Sequence, residues 1–465
     1  MTVRKISLLF LICFALVLAA CGGGGEEPTE APAVDAGETA GEETGADETG
    51  EETPEEVAEE EPAAADVSCS GIASGQTIEM WSPLTGPDGD EMTALAQRYS
   101  SENEFGITVN HVPQPEYIQK LNASAAANQL PALTVARVIN VAELAERNVI
   151  HPFPDDILTL IGENLEGEFP DNVWTAGSYE GERYSVPLDI HTLVMYYNRD
   201  LFAEAGVAEP GNEPMSREEF EQALEQLDAA GITPIAIGNA FQGATLFQTF
   251  IQQFGGELTN DAGTEATFGT EAAVQALTYI DELKQQYSPD ISGAGDPEVA
   301  VFKQGDAAIV FHGPWHISDL QQLDFVGFAP LPQVGEEYAV WAGSHQLALT
   351  TEDPAQQAAA ACWIGWLSEN SLEWAAAGQI PARTDVRESA ELQEVAAPIA
   401  AIASGADEAV ILPQVPELEG ALWGEFGPVV DAVLMGEQDD VQGALQEASS
   451  RSQQIIDENQ ERYGD

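Results

Sequence analysis

The sequence predicts an α/β protein built as two lobes, and three observations carry the prediction. Runs with the alternating period of strands are interleaved with runs of helical period along most of the chain. They fall into two series, each sufficient for a sheet with helices on both faces. The stretch from about Gly75 to Asp465 is also longer than the roughly 250–300 residues that one hydrophobic core serves.

In the first series, strand Gln76–Trp81 leads to a helical stretch ending at Ser101. Strand Ile107–Val112, a helix over Tyr117–Asn128, strand Leu130–Val135 and a helix over Val141–Asn148 follow. The second series opens with strand Leu193–Tyr197. It continues through helix Ser216–Ala230, strand Pro234–Gly238, helices Ala244–Phe254 and Glu271–Tyr287, and strand Ala307–His312. Ser216 with Glu219 three residues on is a capping box and Gly231 a stop signal, so this helix is bounded by residue type as well as by period.

The N-terminus is a different kind of segment. Arg4 and Lys5, an apolar run Ile6–Ala20 and then Cys21 read as a secretory signal, too short for a bilayer span of roughly 20 apolar residues. Leu18-Ala19-Ala20-Cys21 resembles a bacterial lipobox. The resemblance implies a signal peptide over 1–20 and an acylated Cys21 whose lipid tethers the mature chain to the outer face of a membrane. Residues 21–66 follow as a linker with 17 acidic residues and no Lys, Arg or aromatic residue. Such a segment cannot bury enough apolar surface to offset its chain entropy and is expected to be disordered and extended.

The chain as a whole has 80 acidic and 15 basic residues, a formal net charge of −65 at pH 7. Beyond the linker, 63 acidic residues face 13 basic ones. That balance argues against binding nucleic acid or an anionic membrane face, both of which need clustered Lys and Arg. It suits a solubility device, and a high-salt habitat in which self-repulsion is screened. With Cys13 in the signal and Cys21 as the anchor, Cys69 and Cys362 remain. A disulfide between them suits an oxidising compartment; a reduced Cys362 buried in the apolar run Ala358–Trp366 suits the sequence equally.

Tyr179-Glu180-Gly181-Glu182-Arg183-Tyr184-Ser185-Val186-Pro187 runs through Leu188-Asp189-Ile190-His191 into Met195-Tyr196-Tyr197-Asn198-Arg199-Asp200-Leu201-Phe202. Phe302-Lys303-Gln304-Gly305-Asp306-Ala307-Ala308 precedes His312-Gly313-Pro314-Trp315, and Trp341-Ala342-Gly343-Ser344-His345 and Ala377-Gly378-Gln379-Ile380-Pro381-Ala382-Arg383 come later. In these motifs, their order and their spacing, the chain resembles extracellular solute-binding protein family 1, the maltose-binding-protein-like sugar receptors of ABC importers, in lipoprotein form. The resemblance implies a periplasmic-binding-protein-like (type II) clamshell with hinge crossings at Asp189–His191, Val340–Ser344 and Gly378–Arg383. One lobe is expected over 67–189 plus 345–382 and the other over 190–344 plus 383–465. It also implies a monomer that captures a neutral mono- or oligosaccharide in the cleft, passes it to the permease subunits of an ABC importer, needs no cofactor and catalyses nothing. One departure is that Ala132 stands where the family usually has an Asp, with an unusual Arg137 beyond it.

Sugars are recognised by aromatic faces on the C–H surface of the ring and by polar side chains on the hydroxyls. Trp315, in a loop directly after a strand, matches a family residue that stacks on sugar; the alternative is a plug for its lobe. Trp341 at a crossing, Trp81 at the end of the first strand and Trp423 in Leu422-Trp423-Gly424 are further stacking candidates, whereas Trp174, Trp363, Trp366 and Trp374 lie in helical apolar contexts and read as core. His191 at a crossing is the polar candidate, with a structural histidine as its alternative. Asp189, on the same strand face, either bonds hydroxyls beside it or orients it. Lys120 and Arg383 match positions from which relatives reach ligand, against a solvated Lys and an Arg paired with carboxylates; Gln242, His345 and Gln414 are weaker candidates.

The chain has no H-E-x-x-H, G-x-S-x-G, C-x-x-C or Walker sequence. With so many carboxylates, a pair at glycosidase spacing is expected by chance, so a secreted glycoside hydrolase or lyase gains nothing from one. His312 and His316 are four apart, but Gly313-Pro314 excludes the helix that would bring them together, and no metal is expected. Tyr196-Tyr197 cannot both face one ion from a regular strand. Among solutes, a phosphorylated polyol, a peptide-like molecule or a polyamine is the alternative to sugar.

Overall fold

A computed structural model describes residues 66–238, 240–291 and 295–463. The signal peptide, Cys21 and all but the last residue of the linker lie outside the described residues. Among the described residues no helix is long and apolar enough to cross a membrane.

Three sheets organise the chain. The first has the order Thr108–Pro113, Thr77–Ser82, Leu133–Arg137, His345–Leu349, Ser185–Pro187. Its first three strands are parallel and the last two antiparallel to their neighbours. The second has the order Val326–Pro330, Val194–Asn198, Ile309–His312, Ile235–Ala236.

Between them, in sequence, stands a third sheet of short strands, Ile380–Pro381, Asp189–Thr192, Val340–Gly343 and Ala409–Val410. The chain leaves the first sheet at Pro187, forms the third over Asp189–Thr192 and enters the second at Val194. It returns through Val340–Gly343 to His345–Leu349. The expected crossings are thus the strands of one small sheet, with Gly343 opposite His191 and Pro381 opposite Asp189.

Side-chain alternation sorts the cores. Met195 and Tyr197 pack on one face of the second sheet with Phe220, Phe247, Phe250 and Phe426, while Val194 and Tyr196 pack on the other with Val310 and Leu320. The two tyrosines do face apart: Tyr196 donates to the Gly313 carbonyl at 2.6 Å and Tyr197 to Glu209 at 3.0 Å. In the first sheet Ile78 and Met80 join the core that holds Trp363 and Trp374, and Trp81 packs on the opposite side with Tyr117 and Leu121.

The capping box at Ser216 and Glu219 is formed, and helix Arg217–Ala229 follows it. Helix Phe241–Gln253 begins three residues before the expected Ala244. The Gln242 side chain accepts from the Gly238 N–H and donates to the distant Phe311 carbonyl, tying the first turn to strand Ile309–His312. That same shift brings Phe241 onto the helix.

Cys69 and Cys362 form a disulfide with Cα atoms 5.9 Å apart, so Cys362 is both a helix residue and a bridge. It closes a sequence separation of 293 residues and restricts the unfolded chain. Reduction, or the double substitution Cys69→Ala/Cys362→Ala, is expected to lower the unfolding free energy by about 2–4 kcal/mol. Urea unfolding with and without reductant measures it.

Candidate functional site

A cavity of about 1220 Å³ opens where the carboxyl ends of the parallel strands of the first sheet meet the crossings and the second sheet's loops. Ligands of open α/β sheets bind at such edges. The loop after strand Thr77–Ser82 contributes Pro83, the first turn of helix Pro87–Glu102 contributes Asp88, and the end of Leu133–Arg137 contributes Arg137. The crossings supply His191, Trp341 and His345, and the second sheet's side supplies Phe241, Trp315 and Trp423.

Four aromatic rings form one wall. The Phe241 ring centroid lies 5.7 Å from Trp315, 5.6 Å from Trp341 and 6.0 Å from Trp423. All four are only partly buried and line the cavity. Two glycines set the geometry. A Cβ at Gly313 would overlap the Trp315 ring, which folds back over its own loop, and a Cβ at Gly343 would overlap Nε2 of His191 across the strand pair.

Beside the rings stands a polar group organised by a residue that never reaches the cavity, with the His191 ring 6.0 Å from Trp315 and 6.1 Å from Trp341. Asp189 is completely buried. One carboxylate oxygen accepts from the His345 backbone N–H at 2.9 Å and lies 3.4 Å from Nδ1 of His191. The other accepts from Nδ1 of His345 at 2.8 Å and from Nε1 of Trp374 at 2.9 Å. Burial alone would raise the Asp189 carboxyl, but His345 and His191 outweigh it and hold it well below the usual carboxylate range. Burial pushes His191 down, partly opposed by Asp189, and so favours the uncharged ring. A carboxylate on Nδ1 leaves Nε2 as a hydrogen-bond acceptor. Gln379 is also on the wall, 1% exposed, with its Oε1 lacking a partner among the described residues.

The charges are mixed. Asp88, Asp319, Glu419 and Arg137 line the cavity. Asp319 is paired with Lys303. Burial raises the Glu419 carboxyl, with Arg137 opposing.

The residues singled out in the sequence separate cleanly. Trp315, Trp341, Trp423, His191 and His345 are brought together in the cavity. Asp189 lies beneath it as the orienting group. Trp81 is 7% exposed, donates to Glu79 at 2.5 Å and carries Lys120 over its ring at 5.5 Å; neither lines the cavity. Its loop is the right one, but strand alternation turns Trp81 to the other face of the sheet. Arg383 is held by Glu168 at 2.8 Å and by both oxygens of Asp385. Gln242 spends its amide on backbone, and Gln414 bonds within its own loop to Leu412. Phe241, Gln379 and Glu419 were not singled out. Gln379 stands inside a quoted motif, and Arg137 was noted only as a departure.

Comparison with known proteins agrees with this geometry. Residues 94–401 match the family described as bacterial extracellular solute-binding protein. The maltodextrin-binding protein of Bacillus subtilis is 24% identical over 355 residues, 73% of this chain and 81% of that one. The sn-glycerol-3-phosphate-binding periplasmic protein of Escherichia coli (strain K12) is 23% identical over 319 residues, 64% of this chain and 72% of its own. Among solved structures, the sugar-binding protein of Xanthomonas citri superposes with a TM-score of 0.71 at 23% identity, covering 84% of this chain and 99% of that one. The acarbose-binding receptor of Streptomyces glaucescens gives 0.69 at 22%, covering 83% and 99%. Folded as an α/β protein with a cavity at the crossings between its two larger core sheets, and matched by the family over most of its described length, the chain belongs to the bacterial extracellular solute-binding proteins.

Proposed function

We propose that the protein captures a neutral mono- or oligosaccharide in this cavity and passes it, chemically unchanged, to the membrane permease of an ABC importer. In this reading it is a monomer, tethered through lipid on Cys21, with lobes over 67–189 plus 345–382 and 190–344 plus 383–465 that close about the third sheet. The observation that carries the reading is the pairing of an aromatic wall, Phe241, Trp315, Trp341 and Trp423, with the polar His191, His345 and Gln379. Flat rings cover the apolar face of a pyranose while nitrogen and amide groups meet its hydroxyls. The maltodextrin-binding and acarbose-binding relatives support it.

A second reading rests on one residue. Arg137 lines the cavity and has no ion-pair partner among the described residues, and a relative is named for binding glycerol 3-phosphate. An anionic or phosphorylated polyol would pair with it.

Thermal unfolding of the purified protein against neutral saccharides, polyols, polyamines and phosphorylated sugars tests both. A ligand at 100 times its Kd stabilises by about 2.7 kcal/mol. A shift by a neutral saccharide recovered intact supports the first reading. A shift by phosphorylated polyols alone, lost in Arg137→Gln, replaces it with the second; cleavage of the saccharide removes the receptor reading.

A further inference from the structure

We propose that Asp296, Glu298, His312 and His316 form a site for one divalent transition-metal ion, zinc by the character of its donors. The inference is independent of the solute. No helix joins the two histidines, and the chain reaches the same end by another route. Strand Ile309–His312 ends on His312, Gly313 is extended, and the tight turn Pro314–His316 folds back. The imidazole centroids end 4.5 Å apart at 77° to each other. Asp296 precedes helix Pro297–Lys303 and Glu298 lies in its first turn, so two carboxylates face the two rings.

Asp296, His312 and His316 each offer a ligand atom within 4.8 Å of the others, and Glu298 stands beside His312 as a fourth donor. Nε2 of His312 lies 3.3 Å from Oδ1 of Asp296 and 3.5 Å from Oε1 of Glu298, and Nε2 of His316 lies 3.2 Å from Oδ2 of Asp296. Donors bound tetrahedrally to zinc at about 2.0–2.1 Å stand roughly 3.3–3.4 Å from one another.

These contacts are long and outside good hydrogen-bond geometry. Both Nε2 atoms and Oε2 of Glu298 are buried without a hydrogen-bond partner among the described residues, although His312 is 1% and Glu298 2% exposed. Buried polar atoms are rarely left so, and here they converge. Gly238 leaves room for the Glu298 carboxylate, which a Cβ there would overlap. Two carboxylates and two neutral imidazoles balance a divalent charge, and the imidazoles select zinc over the oxygen-seeking magnesium and calcium.

One contact opposes the ion. Nδ1 of His312 accepts from the Gly313 N–H at 2.9 Å, which places the ring proton on Nε2. Coordination through Nε2 by a neutral ring moves that proton to Nδ1, and this contact opens. The turn involved carries Trp315, so the ion would pin the loop beneath a cavity ring.

The test uses the tag-free full chain, stripped by a chelator and titrated with zinc in millimolar magnesium, which occupies the acidic surface. One zinc per chain is expected, its affinity reduced in His312→Gln and His316→Gln by more than the ~100-fold that even outer-shell groups are worth. Cobalt in place of zinc should give the visible absorption of a tetrahedral site. Asp296→Asn, at a half-exposed position, serves if a histidine variant melts below the metal-free parent. Zinc uptake that magnesium displaces, or that is unchanged in the variants, overturns the site.

Discussion

If the proposed saccharide is the solute, replacing Trp315 with alanine is expected to raise its Kd by roughly 30- to 1000-fold, equivalent to about 2–4 kcal/mol. The ring is half-buried and held from below by the bare Gly313 backbone. It stands 6.0 Å from His191 and 5.7 Å from Phe241, so it links the polar and aromatic sides of the cavity. Its order before the ligand arrives lowers the entropy that binding must supply. Trp315→Phe keeps a flat face and should lose less. Calorimetry gives the two affinities, and melting without ligand separates binding from folding. An unchanged Kd in Trp315→Ala would make the ring a plug for its lobe.

Asp189→Ala is expected to cost about 3–5 kcal/mol of stability at pH 7, the range for removing one partner of a buried charged group. It strands the His345 backbone N–H, the His345 ring and the Trp374 indole, which now converge on one carboxylate. Because the folded pKa of Asp189 is depressed, its contribution is fully present above the unfolded value of about 3.9 and is lost as pH falls toward the folded one. The gap between wild type and variant should therefore be widest near neutrality and narrow below about pH 4. Urea unfolding at the two pH values checks this; a gap independent of pH would mean the loss is one of packing. Saccharide affinity should fall as well, since His191 and His345 lose their common anchor.

Much of this was legible in residue types and periods. The two series of elements can be read there, whereas the crossings and Trp315, Trp341, Trp423 and His191 are reached through the resemblance of their motifs to the solute-binding family. What could not be read depends on side-chain direction or distant partners. Trp81 ends the right strand but points into the core by alternation. Arg383 matched a ligand position, yet Glu168, 215 residues earlier, takes it. Phe241 enters the cavity from a first turn that Gln242 ties to Gly238 and the distant Phe311. His312 and His316 were set aside for want of a helix, and a strand followed by a tight turn brings their rings together instead.

The Cys69–Cys362 bridge also decides where a mechanical load goes. Strand Thr77–Ser82 lies inside the first sheet, and a pull transmitted along the backbone from Asp66 would unzip it from one end, bond by bond. The bridge enters eight residues before that strand and diverts the tension into helix Pro354–Glu369. A tug on whatever precedes Asp66 is thus carried by a packed helix, and the strand that shapes the cavity's rim is shielded from it.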